Sequence, residues 1–432
     1  MLTSLLRRRA VRMHVVVCGA GPIGAMVALL LAAEGHRVTV LGDRHSYADA
    51  GYSDVRGISQ SVPSADDPPL LIPGAALDAL SIELPGVVGK LLLAAGKAGT
   101  EVVVRRSLVR ALLTEEIERT EGIQLSHGVR AVSLLTGAQR LPGRPHIQGV
   151  LTTEGNAVLA DLVVDATGRN SQAIKWLSDV GAPRPLDERQ EVGNRLFTRY
   201  FGSDESVNPS TRWSLHHFDR VLIAMVSAGQ GLWSMTLCIS DEESDLYRLS
   251  GASLWSRAAE LYAPRLPQLR GAPLPGVWTT PRIESYYRRF VRSGQPVATG
   301  TVSVGDAWGA TLPLLGLGPT MGLLHAVMLR DAVRQGDPDG ILLRFDSLTE
   351  NYLIPLHEHI TKWEEQLQTA EGNIAQPRPA TAEAFETAGL GYSSATLLSG
   401  LWSQCTASPS EAFPYTRHGP SLAELVEALS VP

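Results

Sequence analysis

The sequence predicts an α/β protein: a Rossmann-like parallel sheet, an inserted and mainly antiparallel second sheet, and a helical C-terminal region. Three observations lead there. A β-branched run, Val15 to Val17, passes at once into Gly19, Gly21 and Gly24 and then into an Ala/Leu-rich run, the strand, tight turn and helix of a dinucleotide-binding unit. Two later apolar runs end in short turns, Asp165-Ala-Thr-Gly168 and Val304-Gly305-Asp306, as a chain does when it returns to a parallel sheet. Between them, from Gln190 to Ile239, aromatic-bearing segments alternate like strands, with no helix-length run before the 250s.

Each glycine of the first turn has a mechanical task. Gly19 makes the turn, Gly21 lets backbone approach a pyrophosphate, and Gly24 lets the helix pack on the strand, while free N–H groups at the helix start face the anion. An adenine dinucleotide is the expected ligand. After a second β-rich run, Val38 to Leu41, residues 45–68 read as a long irregular connection of the kind that lies over ligands, and they contain Arg56-Gly-Ile-Ser-Gln60.

Helical spacing follows at Gly74 to Leu80 and Gly86 to Ala98, then a strand-like Val102 to Val104 leads through Arg105 and Arg106 into Leu108 to Leu113. Gly128 to Leu135, Ile147 to Thr153 and Ala157 to Leu159 read as a small antiparallel sheet turning at Leu141-Pro-Gly-Arg144. Late in the chain, Pro313, Gly316, Gly318 and Pro319 stand at a helix entrance, where backbone N–H groups can face an electron-rich ligand. The chain reads as helical from Gly340 to about Glu371; Pro377-Arg-Pro379 reads as a linker before an Ala/Leu tail.

With 432 residues the chain is long enough for a large core, and its net charge of −6 with no basic stripe argues against nucleic acid and for a small-molecule partner. Cys18, Cys238 and Cys405 are too scattered for a disulfide framework or a zinc site, which with the lack of a long apolar run points to a cytoplasmic protein without a membrane span. Residues 1–12, with their Arg7-Arg-Arg9 cluster, read as a disordered extension. The expected organisation is a first nucleotide-binding part at 13–189, a second-sheet domain at 190–296, a return to the first unit at 297–371, and a tail at 372–432.

Taken together, Gly19-Ala-Gly-Pro-Ile-Gly24, Asp165-Ala-Thr-Gly-Arg-Asn-Ser171, and Gly305-Asp-Ala-Trp-Gly-Ala-Thr-Leu-Pro313 followed by Gly316-Leu-Gly-Pro-Thr-Met-Gly322 resemble the FAD-dependent monooxygenases of the aromatic-hydroxylase and squalene-epoxidase-like group, in their bacterial natural-product form. The resemblance spans roughly 13–335. It implies FAD as cofactor, with Gly19, Gly21, Gly24, Asp165 and Gly168 at the nucleotide, Asp306 on the ribityl chain, Arg106 and Arg56 as further contacts, and Pro313, Gly316, Leu317 and Gly318 beside the ring. The family's acidic residue after the second strand falls on Gly42, so the ribose contact moves to Asp43, and Trp308 stands where the family has His or a small residue.

The resemblance implies hydroxylation or epoxidation of an apolar aromatic, polyene or terpenoid-like substrate, with electrons from NAD(P)H or from a flavin reductase as partner. Trp213, Trp233 and Trp308 are candidates for lining that substrate, although large aromatics more often fill cores. No hydrolytic motif and no metal-ligand set is present, and His216-His217, adjacent on a strand, point to opposite faces. Rival readings are a reductase or dehydrogenase of the same fold, a halogenase, whose Trp-x-Trp-x-Ile-Pro signature is absent, and a non-catalytic NAD-binding protein.

Overall fold

A computed structural model describes residues 12–42, 69–95, 102–191, 193–202, 213–229, 232–266, 271–335, 340–369, 381–388, 390–406 and 419–430. The leader, Asp43, the 45–68 connection with Arg56, and the Pro377-Arg-Pro379 linker lie outside the described residues.

The first sheet has five parallel strands in the order Thr301–Ser303, Leu162–Asp165, His14–Cys18, Arg37–Gly42, Ile123–His127. From His14–Cys18 the chain builds outward one way through Arg37–Gly42 and Ile123–His127 and later returns to the other side with Leu162–Asp165 and Thr301–Ser303. The carboxyl end of this central strand is thus a topological switch point, the place where open α/β sheets bind ligands. Strand Ile123–His127 was not evident from the sequence. It is an edge strand of mixed polarity, Ile-Gln-Leu-Ser-His, with no fully buried position to give it an apolar run.

Burial on both faces explains the β-branched run. Val15 and Val17 point into a core shared with helices Pro22–Ala33 and Leu317–Arg334, whereas Val16 and Cys18 point into one formed with strands Ala131–Leu141 and Arg144–Thr152 and helix Ala173–Asp179. A fully buried side chain of this kind contributes about 1.5 to 3 kcal/mol. Helix Pro22–Ala33 stops where Gly35 adopts a φ of 86° and its N–H returns to Ala32 O. The small antiparallel sheet expected around residue 140 is present, with Leu141 paired to Arg144 across its turn.

The second sheet places Trp213–Phe218, Val221–Gly229, Leu232–Ser240 and Asn194–Gly202 side by side, all antiparallel. Alternation divides its residues. Phe197, Phe201, Trp233, Met235, Leu237 and Ile239 pack under helices Ala252–Tyr262 and Leu422–Ser430, while Leu196, Leu222, Ala224 and Cys238 join the core of the first sheet. The C-terminal region therefore spans both units. Helix Tyr392–Thr406 lies so close to helix Gly74–Glu83 that a Cβ at Gly400 would sit 2.2 Å from Ala75 Cβ.

Helix Ile341–Leu348 continues through a π turn, Thr349–Leu353, into helix Ile354–Thr369. Among the described residues no helix is long and apolar enough to cross a membrane.

The first turn yields a test of its two kinds of glycine. A Cβ on Gly24 would meet Gly19 O at 1.9 Å, whereas one on Gly21 would meet nothing within 4 Å. Gly24→Ala should cost about 1 to 3 kcal/mol in urea unfolding and Gly21→Ala under about 0.5 kcal/mol; equal losses would contradict the packing described.

Candidate functional site

Three turns converge at the carboxyl edge of the parallel sheet: Gly19 to Gly21, Ala166 to Arg169, and Gly305 to Asp306. The first two are in van der Waals contact, since a Cβ on Gly19 would fall 2.5 Å from Ala166 O. Gly21, Gly168 and Gly318 instead face open space. The helices starting at Pro22 and Leu317 have no side-chain cap, and Gly316, with φ 66°, turns the chain into the second of them. Gly42 is held to glycine by Ala20, whose Cβ would lie 2.7 Å from one added there. An acidic side chain cannot occupy that position without moving the turn.

The segment Gly305 to Leu312 is fixed almost entirely from outside. Gly305 N–H donates to His325 Nδ1 (3.3 Å), Tyr286 Oη donates to Asp306 O (2.6 Å), and Arg288 donates to Ala307 O (2.7 Å) from its side chain and to Trp308 O (3.0 Å) from its backbone. His357 Nε2 donates to Ala310 O (3.1 Å), Arg169 to Thr311 O, and Leu312 N–H donates to Glu364 Oε1 (2.7 Å). Gly309 and Ala310 also pair with Tyr287 and Tyr286 as a two-residue strand.

The bonds define the state of His325. Thr349 Oγ1 donates to Phe345 O, so it accepts from His325 Nε2–H, and Nδ1 is left to accept from Gly305. The ring is therefore neutral. Full burial pushes its pKa down to about 3, and burial likewise lowers that of His357 to about 4.

Asp306 is half-buried, with Oδ2 3.5 Å from Arg169 Nε. Its pKa is raised, because burial outweighs the charges of Arg169 and Arg106, which pull the other way and favour the carboxylate. Arg106 begins helix Arg106–Arg119 with its side chain exposed; Arg105, just before it, is buried. Asp165 differs from its expected role. Its buried carboxylate accepts from Thr167 N (3.1 Å), Thr167 Oγ1 (2.6 Å) and Ser171 Oγ (2.5 Å), so it braces its own turn rather than facing the groove.

Two of the three tryptophan candidates, Trp233 and Trp308, are buried. Trp233 stacks on Phe201 at 4.1 Å inside the second sheet's core, on the face turned away from the first sheet, because residues 233, 235, 237 and 239 share that face. Trp308 is also buried, edge-on to His325 and His357 and beside Tyr287. Trp213 opens a strand, and its side chain lies outside the described residues. Pro313 is exposed at the start of the loop, and Leu317 is buried at the first position of its helix. His216 and His217 are each bonded locally, to Ser214 and to Asp219 O.

A cavity of about 710 Å³ lies between the second sheet, strands Leu186–Arg189 and Tyr286–Arg289, and helix Ile354–Thr369. Asn194, Cys238, Ser285, Tyr286, Tyr287 and His357 line its interior side, and charged groups including Arg189, Glu358 and Lys362 also contribute. The lining is thus more polar than an apolar substrate alone requires. Tyr286 joins it to Asp306 through the hydrogen bond already described.

The residues the sequence did not single out are Arg169, Tyr286, Arg288, His325, His357 and Glu364. Two carried a signal: a histidine and a carboxylate on the apolar stripe of a helix, His357 and Glu364 beside Leu356, Ile360 and Trp363.

No family model matches the chain, and neither does any curated protein. Solved structures do. PqsL, a probable FAD-dependent monooxygenase from Pseudomonas aeruginosa, is 17% identical with a TM-score of 0.57 over 83% of this chain and 96% of its own. The p-nitrophenol 4-monooxygenase PnpA from Pseudomonas putida DLL-E4 is 17% identical with a TM-score of 0.59, over 90% and 98%. CmlS, a flavin-dependent halogenase, is 18% identical with a TM-score of 0.60, and 82% of this chain covers 64% of it. At these identities the likeness establishes a shared fold, and the α/β architecture read from the sequence is that fold.

The histidine at Gly305 gives a pH prediction. Its folded pKa, about 3, lies below the unfolded value of 6.5, so the folded chain binds fewer protons and stability falls as pH drops from about 6.5 toward 3. His325→Leu leaves Gly305 N–H unpaired and should cost about 1 to 3 kcal/mol at pH 7.5, with the difference from wild type shrinking at pH 5. Urea unfolding at both pH values measures this; a pH-independent difference would contradict it.

Proposed function

We propose that this chain is an FAD-dependent monooxygenase that transfers one atom of O₂ to a small molecule held in the cavity beside Tyr286 and Tyr287. The observation that carries the reading is the meeting of three open glycines, two uncapped helix starts and the Asp306 carboxylate at one sheet edge, in a fold shared with PqsL and PnpA. A pyrophosphate fits the Gly19 to Gly24 turn because nothing occupies the space over Gly21 and the N–H groups at the start of helix Pro22–Ala33 point toward it. Asp306, ionised with the help of Arg169 and Arg106, accepts hydrogen bonds from ribityl hydroxyls. N–H groups at the uncapped start of helix Leu317–Arg334 would be the donors for the electron-rich end of the ring. Arg106 and Gly168 complete the cradle, while Asp165 supports it from behind.

The cofactor supplies two-electron reduction and activation of O₂ when bound. NAD(P)H, directly or through a partner reductase, gives the electrons; one oxygen atom enters the substrate and the other leaves as water. The protein's share is to position and to exclude water. Tyr286 and Tyr287 wall the cavity on the Asp306 side, and the polar groups around them favour a substrate with a ring-like apolar body and at least one polar or ionised substituent.

Labelled dioxygen tests the reaction: one labelled atom should appear in the product, and label arriving only from water, or turnover without oxygen, would favour a dehydrogenase. Two variants test the cradle. Gly21→Val should abolish FAD uptake with the unfolding midpoint unchanged, and Asp306→Ala should weaken FAD affinity by about 1 to 3 kcal/mol. Unaltered FAD affinity in both, by fluorescence quenching, would contradict the assignment.

A further inference from the structure

Arg169 and Glu364 grip the same two stretches of chain from opposite chemical sides. Arg169 donates to Glu284 O (3.3 Å) and to Thr311 O. Glu364 accepts from the neighbouring residues, from Ser285 Oγ (2.7 Å) and from Leu312 N–H (2.7 Å). One segment, 284–285, leads into strand Tyr286–Arg289 at the cavity; the other, 311–312, leads into the Pro313 to Gly318 loop. Glu364 is 1% exposed, and both its oxygens are engaged. The same Arg169 reaches Asp306.

We propose that Glu364, acting with Arg169, is a positioning residue that locks the Pro313 to Gly318 loop to the cavity wall and holds it in register with Asp306. The proposal rests on the FAD reading of that loop only for its functional consequence. A carboxylate with no solvent keeps its place only if donors meet both oxygens, and the two donors here belong to segments that are otherwise separate in the chain. Moving either segment would leave a buried carboxyl oxygen unmet, so the two move together. Other charged or titratable groups around Glu364 are Arg169, on the turn after strand Leu162–Asp165, Cys238, from the second sheet, and Glu365, on its own helix. Burial pushes the Glu364 carboxyl up to about 7, against the opposing pull of Ser285, Leu312 and Arg169. The clamp therefore has an ionised and a protonated form within the neutral range.

The variants are Glu364→Ala, which removes the acceptor, and Glu364→Gln, which keeps an uncharged acceptor for Leu312 N–H. Hydrogen exchange on the full chain without added cofactor, read in peptides covering 311–318, should be about tenfold faster in Glu364→Ala and near wild type in Glu364→Gln. With FAD added, Glu364→Ala should keep FAD affinity within about threefold, because Asp306 and the first turn are untouched, while the visible band shape and the midpoint potential of the bound flavin shift. Beyond the slope that the flavin's own proton uptake gives, wild type should show an added inflection of potential against pH near neutrality that Glu364→Gln lacks. Unchanged exchange at 311–318 in Glu364→Ala, or acceleration spread evenly over the chain, would overturn the proposal. If wild type takes up no FAD while the local exchange effect stands, the cofactor reading falls and the clamp remains.

Discussion

The site depends on holding Gly305 to Leu312 in place, a segment with almost no regular structure of its own. In an isolated chain such a run would sample many conformations, and fixing each residue's backbone costs about 1 to 2 kcal/mol. Here the cost is offset by hydrogen bonds with helix Leu317–Arg334, strand Tyr286–Arg289, helix Ile354–Thr369 and the turn after Leu162–Asp165, each meeting a different backbone N–H or C=O. Trp308 adds apolar weight between two neutral histidines, which explains its burial. A carboxylate fixed in this way can face a ligand without first being ordered by it.

The same contacts join the edge of the parallel sheet to strand Tyr286–Arg289, which walls the cavity. The cavity wall and the loop at Pro313 share Arg169 and Glu364, and Tyr286 spans from the cavity to Asp306, so a ligand in the cavity and one at the sheet edge would lie on one continuous framework. The second sheet's polar alternation fits this arrangement, with Ser234, Thr236 and Cys238 on the inward face and Trp233, Met235 and Leu237 on the outward one.

What was legible in the sequence was what local chemistry dictates. Gly19 and Gly24 announce a turn because close backbone neighbours leave few other residues possible there, and Leu162–Asp165 reads as a strand because burial on both faces demands a continuous apolar run. Strand Ile123–His127 was not legible, since an edge position relaxes that demand. The role of the tryptophans was open for another reason. A strand's period shows which residues share a face but not which face meets the cavity, and Trp233 lies on the other one. Arg169, His325 and Glu364 act only through partners more than twenty residues distant or across elements, so spacing could not reveal them.

Titrating the purified chain with FAD, with equilibrium flavin fluorescence and difference absorption read together, tests the central claim most directly. The account predicts saturation at one FAD per chain, strong quenching, and a resolved visible band from a ring held in a rigid, water-poor setting. No saturable uptake, or binding of NAD at the same stoichiometry with FAD excluded, would contradict it.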